Sequence, residues 1–233
     1  MKTSAPGQRL LSAVKYVRQG ARFADVGTDH AYLPIYLLKE GLIESAVLSD
    51  INEGPLASAR ENARASGLAD RVELVLCDGA AALADKRITD MAIFGMGGEL
   101  IAQIIENAPF LKTDGVRLIL QPMSKQEHLC EYLLKSGFSI IGETYTKDGG
   151  KFYRTLCAEY GGAYDAEENF AYIGPSDTPC EEIDAKIGYL KAHLSGLLRA
   201  LDGKTLANLD ASDELEKIDI IKKELSRLGA RSV

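Results

Sequence analysis

The chain has no tryptophan, only three histidines and only four cysteines among its 233 residues. Cys77, Cys130, Cys157 and Cys180 lie far apart and form no CxxC pair. That scatter suits reduced, mostly buried thiols better than a disulfide framework or a zinc site. His30, His128 and His193 stand alone, none at ligand spacing from another, so no metal is expected. No apolar run approaches the roughly 20 residues that a membrane helix needs. The start of the chain lacks a basic-then-apolar export pattern, and a cytoplasmic location is expected. Positive charge is not in excess: 27 basic residues face 34 acidic ones, a net charge of −7. This argues against a nonspecific nucleic-acid coat protein. It leaves room for a local basic face built from Arg9, Lys15, Arg18 and Arg22, or from Lys147, Lys151 and Arg154. Ordinary solvated surface charge is the alternative.

What is present is a chain able to bury a core, with 46% hydrophobic and 26% charged residues. Its length fits one unit of about 150–160 residues plus a smaller one. Leu10, Leu11, Val14 and Val17 predict a helix over 8–19. Short apolar strands follow at Arg22–Val26, Ala46–Ser49, Val72–Cys77, Met91–Phe94, Val116–Leu120, Ser139–Tyr145 and Phe152–Ala158. Helical stretches around 32–40, 55–66, 98–107 and 125–136 separate the first five, with Pro55 and Gly67 punctuating the second helix. This alternation predicts an α/β fold with a parallel sheet covered on both faces. The turn Lys147-Asp148-Gly149-Gly150 makes the last two strands an antiparallel hairpin. Residues 161–178 lack periodicity and read as a linker between a main domain, 1–160, and a C-terminal unit, 179–233. There Ile183, Ile187, Leu190, Leu194, Leu197 and Leu201 form one narrow stripe, and Leu215, Ile218, Ile221 or Lys222, Leu225 and Leu228 a second. They predict an antiparallel helical, coiled-coil-like hairpin that protrudes, or else two helices packed flat on the main domain.

Five motifs carry chemistry. FADVGTDHAYLP (23–34) runs a strand into Gly27 and then a helix. A dinucleotide cradle would place G-x-G-x-x-G here. One glycine with two acids, Asp25 and Asp29, instead suits a ligand with an ammonium or sulfonium end, as in S-adenosylmethionine. Asp50 ends the second strand, where an acid accepts bonds from ribose hydroxyls, and Ile51 is placed to pack against adenine. Asp78 ends the third strand and can accept from the adenine amino group. Gly95, Gly97 and Gly98 in AIFGMGGEL suggest a flat group lying against backbone, although helix–strand packing explains one such glycine easily. In LILQPMS, Gln121 either reads a base edge or closes the turn.

With the order of elements, DVGTDHAYLP, GMGG (95–98) and LILQP (118–122) resemble the bacterial tRNA (adenine-22 N1)-methyltransferase family. The resemblance spans residues 1 to about 160, and the helical hairpin matches the family's architecture. It implies a Rossmann-like, seven-stranded S-adenosylmethionine-dependent methyltransferase sheet, with tRNA as partner and N1 of adenine as acceptor. It implies no metal, no membrane and a monomer. The expected cofactor residues are Asp25, Gly27, Thr28, Asp29, His30, Tyr32, Leu33, Asp50, Ile51, Asn52, Asp78, Gly79, Gly95, Met96 and Gly97. Asp29, Gln121 and Pro122 are expected at the target base, Asp29 facing either cofactor or base. The family carries Asn after Gln-Pro, where this chain has Met123. A methyltransferase acting on a small molecule or protein, or a non-catalytic nucleoside-binding scaffold, are the competing readings.

Overall fold

The computed structural model describes residues 6–28, 30–113, 115–161, 167 and 169–230. Seven strands form one sheet: β1 (Ala21–Val26), β2 (Ile43–Asp50), β3 (Val72–Leu76), β4 (Asp90–Phe94), β5 (Arg117–Gln121), β6 (Phe138–Asp148) and β7 (Lys151–Tyr160). Their order is β3-β2-β1-β4-β5-β7-β6. The first five are parallel, and β7 pairs antiparallel with both β5 and β6. This is the doubly wound sheet with a terminal hairpin that the strand–helix alternation predicts.

Central strands read as unbroken apolar runs because both faces are covered. In β4 all five residues are buried. Met91 and Ile93 face one core with α4 (Gly98–Glu106) and α5 (Gln126–Lys135). Ala92 and Phe94 face the other, with α2 (Tyr32–Lys39) and α3 (Glu53–Ala65). The period-2 alternation of strand side chains thus builds two cores from one strand.

Three elements depart from expectation. The helix predicted over 8–19 is only α1, Gln8–Leu11, followed by a 3-10 turn at Val14–Tyr16. Ser12 stops it: its hydroxyl donates to the Arg9 carbonyl (2.7 Å) and lies 2.7 Å from Thr155 Oγ1. Strand β2 starts three residues early, because Ile43 and Ser45 find partners in β1. Within the predicted linker, α6 (Phe170–Ile173) buries Phe170 and Ala171 in the main core. The fully buried Arg154 guanidinium holds it, donating to the carbonyls of Ala171 (2.8 Å) and Phe170 (3.0 Å) and pairing with Glu143 at 2.6 Å.

The C-terminal helices α7 (Ile183–Leu206) and α8 (Ser212–Arg227) form the expected hairpin. Tyr189, Leu190 and Leu194 meet Ile218, Ile221 and Leu225 along its seam. Lys186 and Glu224, both buried, pair across it at 3.0 Å. The base of the hairpin packs flat on β6 and β7, where Gly188 admits the Phe152 ring. Its far end stands clear, with Leu206, Leu209 and Leu215 exposed. Each packing alternative therefore describes one half of it. No helix among the described residues is long and apolar enough to cross a membrane.

Candidate active site

The carboxyl ends of the parallel strands line one edge of the sheet, where open α/β sheets hold ligands. After β1 the chain turns at Gly27, whose φ of +76° favours glycine. The N–H groups of Gly27 and Thr28 both donate to the Ser49 carbonyl, at 2.9 and 3.1 Å, which ties this loop to β2. A cavity of about 200 Å3 opens there, lined by Asp25, Gly27, Thr28, His30, Tyr32 and Leu33. These are six of the expected cofactor residues. Arg9, Leu10, Ala31 and Phe94 complete the wall; of these the sequence marked only Arg9 for function, and as part of a basic face rather than of this crevice.

Asp25 is half-buried at the floor of this crevice. Burial lifts its carboxyl to about 6, against the opposing effects of the Thr28 hydroxyl and the Arg9 cation. A desolvated carboxyl of this kind is a receptor for an ammonium group, whose charge would restore the ionised form. At the end of β2, Asp50 accepts the Asn52 N–H on Oδ1 at 2.8 Å, and Asp50 pairs in register with Leu76 of β3. Asp78 is exposed two residues further on, before Gly79 at φ +63°. Ile51 and Leu76 are 61% and 54% exposed. Two bare apolar side chains beside two carboxylates suit a flat heterocycle carrying a ribose. Leu76 went unrecognised in the sequence because an apolar strand-end residue looks like core.

The glycine strip divides in two. Gly95 has φ +81° with open space beside it, as a ligand-facing position requires. Gly98 is pressed by protein instead: its N–H donates to the Ser124 carbonyl at 2.7 Å, and a Cβ would strike Lys125 backbone. Gly97 also has Ser124 as its near neighbour. Close packing of the β5–α5 turn therefore accounts for Gly98, whereas at Gly97 a Cβ would meet only the Ser124 hydroxyl, at 3.2 Å. That turn is fixed to Met96, whose carbonyl accepts the Met123 N–H at 2.8 Å.

Gln121 requires a correction. It is fully buried, and its Nε2 donates to Thr155 Oγ1 (2.7 Å), the Arg9 carbonyl (3.1 Å) and Ser12 Oγ (3.2 Å). Its Oε1 accepts from the Arg9 guanidinium at 3.3 Å. All of its amide capacity is engaged inside the protein, so it closes the turn rather than reading a base edge. Pro122 beside it is buried as well, whereas Met123 is 46% exposed. The predicted basic face is also largely consumed. Lys15 pairs with Glu182, Arg18 with Asp90, Arg22 with Glu73 and Arg154 with Glu143. Asp29 lies outside the described residues. Among the described residues, no group of three or more His, Cys, Asp or Glu could hold a metal ion.

A family model described as a methyltransferase domain matches residues 7–156. The chain is 37% identical over 161 residues to the tRNA (adenine(22)-N(1))-methyltransferase of Bacillus subtilis, covering 68% of each chain. The chain belongs to this methyltransferase family. Among solved structures, that of a Streptococcus pneumoniae protein proposed to be a tRNA (m1A22) methyltransferase, with S-adenosyl-L-methionine bound, is 34% identical at a TM-score of 0.78. The match covers 94% of this chain and 98% of that one. The B. subtilis m1A22 tRNA methyltransferase TrmK is 28% identical at a TM-score of 0.74, with 96% and 97% covered. The sequence match to the family thus reaches about two thirds of the chain, while the structural matches extend over the helical hairpin too.

Proposed function

We propose that this chain transfers a methyl group from S-adenosylmethionine to N1 of an adenine in tRNA, at position 22 as in its relatives. The observation that carries this is the row of carboxylates at three consecutive strand ends, Asp25, Asp50 and Asp78, in a chain of this family. In this reading Asp25 takes the cofactor's ammonium group, Asp50 its ribose hydroxyls and Asp78 its adenine amino group. Ile51 and Leu76 sandwich the adenine ring. When bound, the cofactor supplies a methyl group activated on a sulfonium.

The chain's own task is placement. A neutral ring nitrogen must meet the methyl group in line, with water kept out, and the product base is cationic. The target adenosine has to leave its stack to reach such a pocket. Tyr32, 36% exposed and 5.2 Å from the His30 ring, stands at the mouth. Asn62 of α3 donates to the His30 carbonyl at 3.0 Å and steadies that loop. Asp29 is positioned in sequence to favour the growing positive charge, or else to hold the ammonium group beside Asp25. The enzyme works as a cytoplasmic monomer in this reading, with tRNA held by the hairpin and by cations outside the ion pairs above.

The test is methylation of unmodified tRNA with labelled cofactor, followed by nucleoside analysis. N1-methyladenosine, abolished when adenine 22 is replaced, is the expected result. Label in another base, or none on any tRNA, would overturn the proposal.

A further inference from the structure

A second concave region lies on the other side of Arg9 from the cofactor crevice. Two cavities, of about 490 and 410 Å3, share Met123, Gln126, Phe152, Tyr189 and Ala192 as walls. They form one groove between the β5–α5 turn, the β6–β7 turn and α7. Each is of the size usual for a ligand site, about 300–1,000 Å3. The groove begins one side chain away from the cofactor crevice. Tyr153 lines it, and the Arg9 guanidinium, part of the crevice wall, sits 5.7 Å from the Tyr153 ring. It ends on the hairpin at Arg199.

Its charge is opposite to that of the molecule. The chain carries −7 overall, yet Lys125, Lys151 and Arg199 rim the groove, exposed and in no ion pair among the described residues. The one carboxylate among its described walls, Glu127, is turned toward His193 at 3.9 Å. Between the cations lie half-buried aromatic rings, Phe152 and Tyr153. Lys125 adopts φ +52° at the start of α5, a conformation uncommon for lysine. Unpaired cations alternating with rings, in an acidic protein, make a surface for a phosphate-linked chain of bases rather than for an acidic or apolar partner.

We propose that this groove is a nucleotide subsite, which holds the tRNA nucleotide next to the target adenosine once that adenosine is swung into the pocket. Phosphates on either side of the nucleotide meet Lys125, Lys151 and Arg199 along the groove, and the base stacks on the Phe152 ring. The proposal rests on the tRNA reading above and gives it a footing for the unstacked strand. Met123, 46% exposed, lines both cavities and so would touch the flanking nucleotide.

The test compares the full-length enzyme with a Lys125→Asn, Lys151→Gln, Arg199→Gln triple variant and with Arg199→Glu alone. Asn is chosen at 125 because it tolerates a positive φ. Both variants should keep their Tm and their affinity for S-adenosylmethionine. The triple variant should raise KM for tRNA at least about tenfold, with kcat at saturating tRNA little changed. The slope of log affinity against log salt should fall by about 2, roughly 0.7 per lost contact to a single strand. Arg60→Gln with Arg64→Gln on α3, which packs on β2 and β3 at the opposite edge of the sheet, should leave tRNA kinetics alone. Unchanged KM and slope in the triple variant, or an equal effect from the α3 pair, would overturn the subsite. A wild-type enzyme that binds tRNA with the expected salt slope but forms no N1-methyladenosine would overturn the proposed reaction instead, and binding alone would still decide the groove.

Discussion

Gln121 Nε2 lies 2.7 Å from Thr155 Oγ1, and this bond crosses the seam where the sheet changes from parallel to antiparallel. Both residues are fully buried, and Ser12 and Arg9 of the N-terminal segment close the same network. Gln121→Ala leaves the Arg9 carbonyl and two buried hydroxyls short of a partner. A loss of about 1–3 kcal/mol is expected, seen by calorimetry as a Tm lower by several degrees. Affinity for S-adenosylmethionine in the folded fraction should stay near wild type. A fall in turnover with no loss of stability would return Gln121 to the reaction.

Asp25 gives a pH signature. Its carboxyl titrates at about 6 because burial disfavours the charge. A raised acid binds protons more readily when folded, so its contribution to stability falls as pH rises from about 4 to 6 and is then level. If an ammonium group requires the ionised form, the Kd for S-adenosylmethionine should rise as pH drops below 6, toward tenfold per unit. Asp25→Asn should flatten that profile and weaken binding at pH 7. It should also raise the Tm of the ligand-free protein, since a desolvated charge is gone. Titration calorimetry between pH 5 and 8 separates these outcomes.

Asp50→Ala removes the acceptor proposed for the ribose hydroxyls. Charge-assisted bonds of this kind are each worth about 1.5–3 kcal/mol. A Kd for the cofactor weaker by about tenfold or more is expected, with little change in Tm. Wild-type affinity would place Asp50 outside the site.

Asp29→Asn distinguishes catalysis from binding. If the carboxylate favours the cationic base, kcat should fall while Kd for cofactor and tRNA hold. If it holds the cofactor's ammonium group, Kd should weaken first, with turnover recovering at saturating cofactor. Wild-type values throughout would leave it as a helix cap.

The Lys186–Glu224 pair ties α7 to α8 inside the hairpin, 3.0 Å apart and almost without exposure. Glu224→Ala strands a buried ammonium group, although Lys186 also donates to the Pro175 carbonyl at 2.7 Å. A cost of about 3–5 kcal/mol is expected where a buried ion loses its partner. Hydrogen exchange should localise the loss to 183–227 and leave the central strands protected.

Much of this protein is written locally. Strands β1 to β4 are short, mostly apolar runs that end at or run into Asp or Gly, and β5 runs into Gln121-Pro122, so their periodicity and punctuation place both the sheet and its ligand edge. The crevice residues of 25–33 are neighbours in the chain, and a single strand–turn–helix motif brings them together in space. The heptad-like stripes of α7 and α8 likewise meet each other, although the base of α7 also needs β6 and β7. Contacts between distant segments were decided by tertiary structure alone. Arg9 reaches the crevice because Ser12 breaks its helix and docks it on Thr155, 143 positions away. Gln121 turned inward because the buried seam supplied it with partners, and a buried amide goes where its bonds can be satisfied. Gly98 answers to the backbone of a turn some 25 residues further on. Which cations remain free is settled in the same way. Lys15, Arg18, Arg22 and Arg154 meet carboxylates brought in by other elements, whereas Lys125, Lys151 and Arg199 meet none among the described residues. Charge can be counted along a chain, but pairing depends on distances that exist only after the chain has folded.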